Sequence, residues 1–132
     1  MRWSIPHASC RTHKVGARLA LPRSSEALWT SVDRKVRNQV RKAQKEQLVV
    51  ERGNEALVDD FYTVFTENMR DLGTPVYSRR LFEDVLVTFA STATIVCVRH
   101  AGQPVAAAVI IAHRDRVEVP WASSLRDRKS TR

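Results

Sequence analysis

The chain has 132 residues, 43% of them hydrophobic and 27% charged, which fits one small globular domain with a modest core. No stretch approaches the roughly 18 apolar residues of a membrane span, and MRWSIPHASC lacks the apolar core of a signal peptide. The net charge of +8 sits at the two ends: residues 1–25 carry five basic groups and no acid, residues 126–132 are basic, and the body between them is balanced.

Residues 1–23 are broken by Pro6, Gly16 and Pro22 and read as an irregular leader or the remnant of an upstream domain. Within them Ala17–Leu21 is a candidate strand. A helix is predicted from Ser24 or Ser25, either of which can cap it, to about Gln47. Leu28, Val32, Val36, Val40 and Ala43 fall on one arc of it and form an apolar seam. Arg34, Arg37, Arg41 and Lys45 fall on the opposite arc, with Lys35 and Lys42 at its edge.

Leu48–Glu51 reads as a short strand. Asn54 is placed to cap a second helix, whose apolar side is Leu57, Val58, Phe61, Val64, Phe65, Met69 and Leu72. Gly73 and Pro75 stop it. Ser78 opens a third helix, with Leu81, Phe82, Val85, Leu86 and Phe89 on the buried side. Three strands follow: Thr94–Arg99, Pro104–His113 and Arg116–Trp121. The turns between them are short, so neighbours are antiparallel. The apolar, Ala-rich run of the middle strand predicts burial on both faces. RDRKSTR, at 126–132, breaks the pattern and reads as a non-native or disordered tail. The fold class is therefore α/β, helices followed by an antiparallel meander, with the folded domain over 24–125.

Two cysteines, Cys10 and Cys97, do not support a disulfide scaffold and suit a reducing compartment such as the cytoplasm. Cys97 reads as a small buried hydrophobe. His7, His13, His100 and His113 show no metal-ligand spacing, so no metal is expected.

Three groups of residues carry candidate chemistry. Arg34, Lys35, Arg37, Arg41 and Lys42 suit a phosphate-bearing donor or another polyanion. The bland alternative is a solvated face with Asp33 and Glu46 as local partners. Asn68, Arg70, Asp71 and Tyr77 surround the NMRDLGTPVY turn and suit substrate binding, or only the fixing of a loop. Glu118, Trp121, Ser123 and Ser124 lie on or just past the last strand. Glu118 is the carboxylate there that could act as a general base; the alternative is a residue facing solvent.

Three stretches resemble known proteins: LPRSSEALWTSVDRKVRNQVRKA (21–43), FYTVFTENMRDLGTPVYS (61–78) and GQPVAAAVIIAHRDRVEVPWASSLR (102–126). With their spacing, they make roughly residues 14–126 resemble the FemAB-like branch of the GNAT acyltransferase superfamily, and most closely the members associated with bacterial exosortase (PEP-CTERM) systems. The resemblance implies an incomplete GNAT-like fold that corresponds to the opening of a longer protein's second half. It implies acyl or aminoacyl transfer to an amine, from acyl-CoA or aminoacyl-tRNA, beside exopolysaccharide genes. A helix N-terminus after the central strand would hold the donor's pyrophosphate. That strand-to-helix turn would belong to the later part of the fold, which this chain is expected to lack, and no glycine-rich phosphate loop is present here, so this chain alone is expected to bind no cofactor and to be inactive. The competing reading is a non-enzymatic polyanion- or nucleic-acid-binding module built on the basic helix.

Overall fold

The computed structural model describes residues 16–126. Cys10, His7, His13 and most of the expected leader and tail lie outside that range. The chain divides into two compact units between Asn38 and Gln39.

The first unit contains helix α1 (Ser25–Ser31) and the opening of α2 (Arg34–Lys45). Ser24 caps α1, its Oγ accepting from the Ala27 N–H at 3.2 Å. The single long helix expected up to Gln47 is instead two. The Thr30 and Ser31 hydroxyls donate back to the carbonyls of Glu26 and Leu28, a habit that loosens helix ends. Val32 is extended, at φ −74° and ψ 141°. Asp33 then restarts the helix: its carboxylate accepts from the Lys35 N–H at 2.7 Å and its carbonyl from the Arg37 N–H at 3.0 Å. Ala17–Leu21 is not a strand; Leu19 and Leu21 are exposed and the segment is irregular. No residue of α2 is buried, so its apolar seam is not a core seam.

The second unit is a four-stranded antiparallel sheet with helices packed on it. Its strands are β1 (Val49–Gly53), β2 (Ala93–His100), β3 (Gln103–His113) and β4 (Arg116–Ser124), in the order β1-β2-β3-β4. Between β1 and β2 come a 3-10 turn (Glu55–Leu57), α3 (Val58–Asp71) and α4 (Arg79–Thr88). Asn54 precedes the 3-10 turn without a side-chain capping bond, so α3 starts later than expected. The α3 stop is as expected. Gly73 takes φ +64°, its N–H donates to the Arg70 carbonyl and the Thr74 N–H to that of Met69. Only a residue at ease in left-handed backbone closes a helix this way. Ser78 opens α4 without a side-chain bond. The β2–β3 hairpin turns on Ala101 and Gly102, both at positive φ, the twist that tight antiparallel hairpins favour.

The core lies between α3, α4 and one face of the sheet. Leu57, Val58, Phe61, Val64, Phe65, Phe82, Leu86, Ala93, Ile95, Cys97, Ala107 and Val109 are all buried. Phe82 is its hub, meeting Phe61 at 4.8 Å, Phe65 at 5.1 Å and Trp121 at 5.2 Å between ring centres, each edge to face. Two expectations about burial fail. Phe89 lies past the end of α4 and is exposed, as is Leu72 past α3. And β3 is buried on one face only: Ala107 and Val109 are covered by helices, while Ala106, Ala108 and Ile110 are half-buried.

Candidate functional site

The α3 helix carries Asn68 in its last turns, and the Asn68 amide donates to Ser123 Oγ on β4 at 3.2 Å. The two residues are 55 positions apart in the chain. Ser123 is the one buried polar side chain among the described residues, and this bond satisfies it.

The register of β4 decides what else stands on that face. Ala107 pairs with Ser123 and Val109 with Trp121, but Ile111 pairs with Glu118. One extra residue therefore sits in β4 around Val119 and Pro120. A bulge of this kind reverses the alternation beyond it. Pro120 has no N–H to lose from the ladder there. Glu118, Trp121 and Ser123 consequently share the helix-covered face, whereas Ser124, paired with Ala106, points to the other. Trp121 is half-buried against Phe82. Glu118 is exposed, beyond the reach of the helices, with no hydrogen bond or ion pair among the described residues.

The turn after α3 adds a surface beside this face. Tyr77 stacks its ring on Phe65, 6.4 Å apart and 14° from parallel, and remains 56% exposed. Its carbonyl accepts from the Tyr62 hydroxyl at 3.1 Å, which fixes the turn. Arg70 and Asp71 are exposed. Arg70 lies 3.9 Å from both Glu67 and Asp71, too long and too wet for firm pairs.

The basic residues of α2 do not act as one set. Arg37 is half-buried and donates to the carbonyls of Trp29 and Thr30, at 3.3 and 3.0 Å, closing the C-terminal end of α1. Arg34, Lys35, Arg41 and Lys42 are exposed.

One cluster escaped the sequence reading. Arg99, near the end of β2, donates to Glu51 on β1 at 2.9 Å and to Asp60 in the first turns of α3. The bonds to Glu51 and then Asp60 hold its guanidinium still more firmly charged than usual. Burial first, and then the Asp60 charge, push the neighbouring Cys97 thiol above its ordinary value. The signal was present only as an acid and a base on separate predicted elements, and it required the β1–β2 register.

Among the described residues no group of three or more His, Cys, Asp or Glu is placed to hold a metal ion. No described helix is long and apolar enough to cross a membrane. A shallow pocket lined by Glu55, Val58, Arg79, Glu83 and Val87 contains none of the residues expected to bind substrate.

A comparison with curated proteins gave no match. The family model for the acetyltransferase (GNAT) domain matches residues 30–130, from the end of α1 past the end of β4. Proteins of this family join an acyl donor to an amine acceptor. The chain belongs to the GNAT acetyltransferase domain family.

Proposed function

We propose that this chain forms the acceptor side of an N-acyltransferase of the FemAB type, cytoplasmic, serving the exopolysaccharide and exosortase (PEP-CTERM) systems of bacteria. The reaction passes an acyl or aminoacyl group from acyl-CoA or aminoacyl-tRNA to an amine. The amine nitrogen attacks the acyl carbon, the bond from that carbon to the donor's sulfur or oxygen breaks, and the amine proton goes to a base.

The observation that carries this reading is the Asn68–Ser123 bond. It joins the two stretches in which substrate residues were expected, one at the end of α3 and one on β4. Asn68, Ser123 and Trp121 then contact the acceptor, with Tyr77, Arg70 and Asp71 along the rim. Glu118 shares the face of Ser123 and Trp121, exposed and unpaired as a base must be before substrate arrives.

Their separation limits the acceptor. Glu118 and Ser123 stand opposite Ile111 and Ala107, four steps apart on β3, which is about 13 Å at about 3.3 Å per residue. An acceptor whose amine meets Glu118 and whose body reaches Ser123 is therefore extended.

The donor side has less support in these residues. Gly53, Gly73 and Gly102 each serve a strand end, a helix cap or a turn, and none forms a phosphate-cradling loop. The chain by itself is thus proposed to bind acceptor and to give no turnover.

The test is amide-resolved NMR titration of the chain with glucosamine, a lysyl peptide and acetyl-CoA. Acceptor amines are expected to shift Asn68, Trp121 and Ser123, and acetyl-CoA to leave them in place. Shifts from acetyl-CoA with none from any amine would overturn the assignment of this face.

A further inference from the structure

We propose that α2 is a docking helix that lies on an anionic membrane surface. Three observations combine to support this.

First, much of the charge of α2 has no acidic partner among the described residues. Arg34–Lys45 contains six basic residues and no acid. Elsewhere in the second unit Arg79 pairs with Asp59 and Glu83, and Arg99 with Glu51 and Asp60. Arg34, Lys35, Lys42 and Lys45 have no ion pair among the described residues, although all four are exposed. The two acids that flank the helix do not quench them. Asp33 is committed to capping the Lys35 N–H, and Glu46 makes no ion pair among the described residues.

Second, the opposite arc of the same helix is apolar and partly exposed. Val36 and Val40, one turn apart, are 45% and 38% exposed, and Ala43 continues their line. A basic arc alone suits any polyanion. An exposed apolar arc has no use on a phosphodiester backbone, but it sinks into the boundary between headgroups and acyl chains. The long stems of Lys35 and Lys42, at the margin between the two arcs, reach back to the headgroups while the valines point down.

Third, no residue of α2 is buried, so the helix is not committed to the core. A short helix of low overall hydropathy, strongly divided into two faces and rich in Lys and Arg, is the kind that lies in a membrane interface without crossing it. This surface is independent of the acceptor site, and either assignment can fail without the other.

The experiment is co-sedimentation of the full chain with vesicles of phosphatidylcholine, alone or with phosphatidylserine added. Three forms are compared: the unchanged chain, Lys35→Glu/Lys42→Glu, and Val36→Ser/Val40→Ser. Circular dichroism melting confirms that each is folded. The unchanged chain is expected to bind only the vesicles containing phosphatidylserine. The lysine variant should lose more than about tenfold in affinity, since each basic residue near such a surface contributes about a factor of five. The valine variant should lose several-fold at unchanged net charge. Three outcomes overturn the proposal. One is binding that survives the lysine changes, which would assign it to the basic chain ends. Another is vesicle binding unaffected by the valine changes. The third is binding to a mixed-sequence RNA with none to phosphatidylserine vesicles.

Discussion

Arg99 on β2 donates to Asp60 on α3, so that one guanidinium ties the first turns of a helix to the sheet beneath it. The same group donates to Glu51 on β1 at 2.9 Å, and its side chain is only 22% exposed. Breaking a sheltered pair by removing one partner leaves the other charge without compensation. Arg99→Ala is expected to lower the melting temperature, and by more than Arg80→Ala, whose partner Asp84 is exposed and 3.8 Å away. Differential scanning calorimetry of the two variants checks the order; equal losses would mean that the Arg99 cluster is ornamental.

The Asn68–Ser123 bond is open to a double-mutant cycle. Asn68→Ala, Ser123→Ala and the double variant are expected to show a coupling of about 0.5–1.5 kcal/mol in urea unfolding, the usual net worth of a neutral hydrogen bond. Both single variants should also weaken acceptor-amine binding in the titration described above. Coupling near zero would place the two side chains apart in solution.

Asp33 is the cap that divides α1 from α2. Asp33→Ala is expected to cost about 1 kcal/mol of stability. Asp33→Asn should retain most of it, because an amide oxygen accepts the Lys35 N–H as well. Urea denaturation followed at the far-UV helix signal distinguishes the two; a larger loss in the Asn variant would show that charge, not the hydrogen bond, matters at this position.

Cys97 is fully buried, and its thiol is pushed above the ordinary 9.0, first by burial and then by the Asp60 charge. The sign follows directly. Above the ordinary value the unfolded chain loses this proton while the folded chain keeps it, so stability falls as pH rises through the window between the two. In a Cys10→Ser background, iodoacetamide is expected to leave Cys97 unmodified at mildly alkaline pH and to label it quickly in denaturant. Fast labelling of the folded protein would contradict this burial.

Much of the second unit is legible in the sequence. The strand positions of β2 to β4, the short turns between them and the Gly73 stop are local signals, and each was where the pattern put it. Phe61, Val64, Phe65, Phe82 and Leu86 were placed on buried faces by helical period alone. The errors arose where a local period continued through a change it could not register. Leu28, Val32, Val36 and Val40 keep helical spacing straight across the break at Val32, and only the hydroxyl and carboxylate bonds of Thr30, Ser31 and Asp33 interrupt the backbone. The same seam looked like core, although no residue of α2 is buried. For the candidate site, the sequence named Asn68 and Ser123 but could not pair them. It could not sort Glu118 from Ser124 by face either, since that depends on one extra residue in β4. Arg99 was invisible as a hub because its partners come from two elements whose registers only the tertiary fold sets.

The strand order has a consequence for how the second unit assembles. The β2–β3 and β3–β4 hairpins close on two-residue turns, so they can zip together early from neighbouring segments. β1 has no such shortcut. It must wait for the 39 residues from Asn54 to Thr92 to fold back before it meets β2, and closing that longer loop costs entropy that no local contact returns. β1 is therefore the last strand to join the sheet and the first to leave it, and Arg99, which holds β1 and α3 together, is the latch on that step.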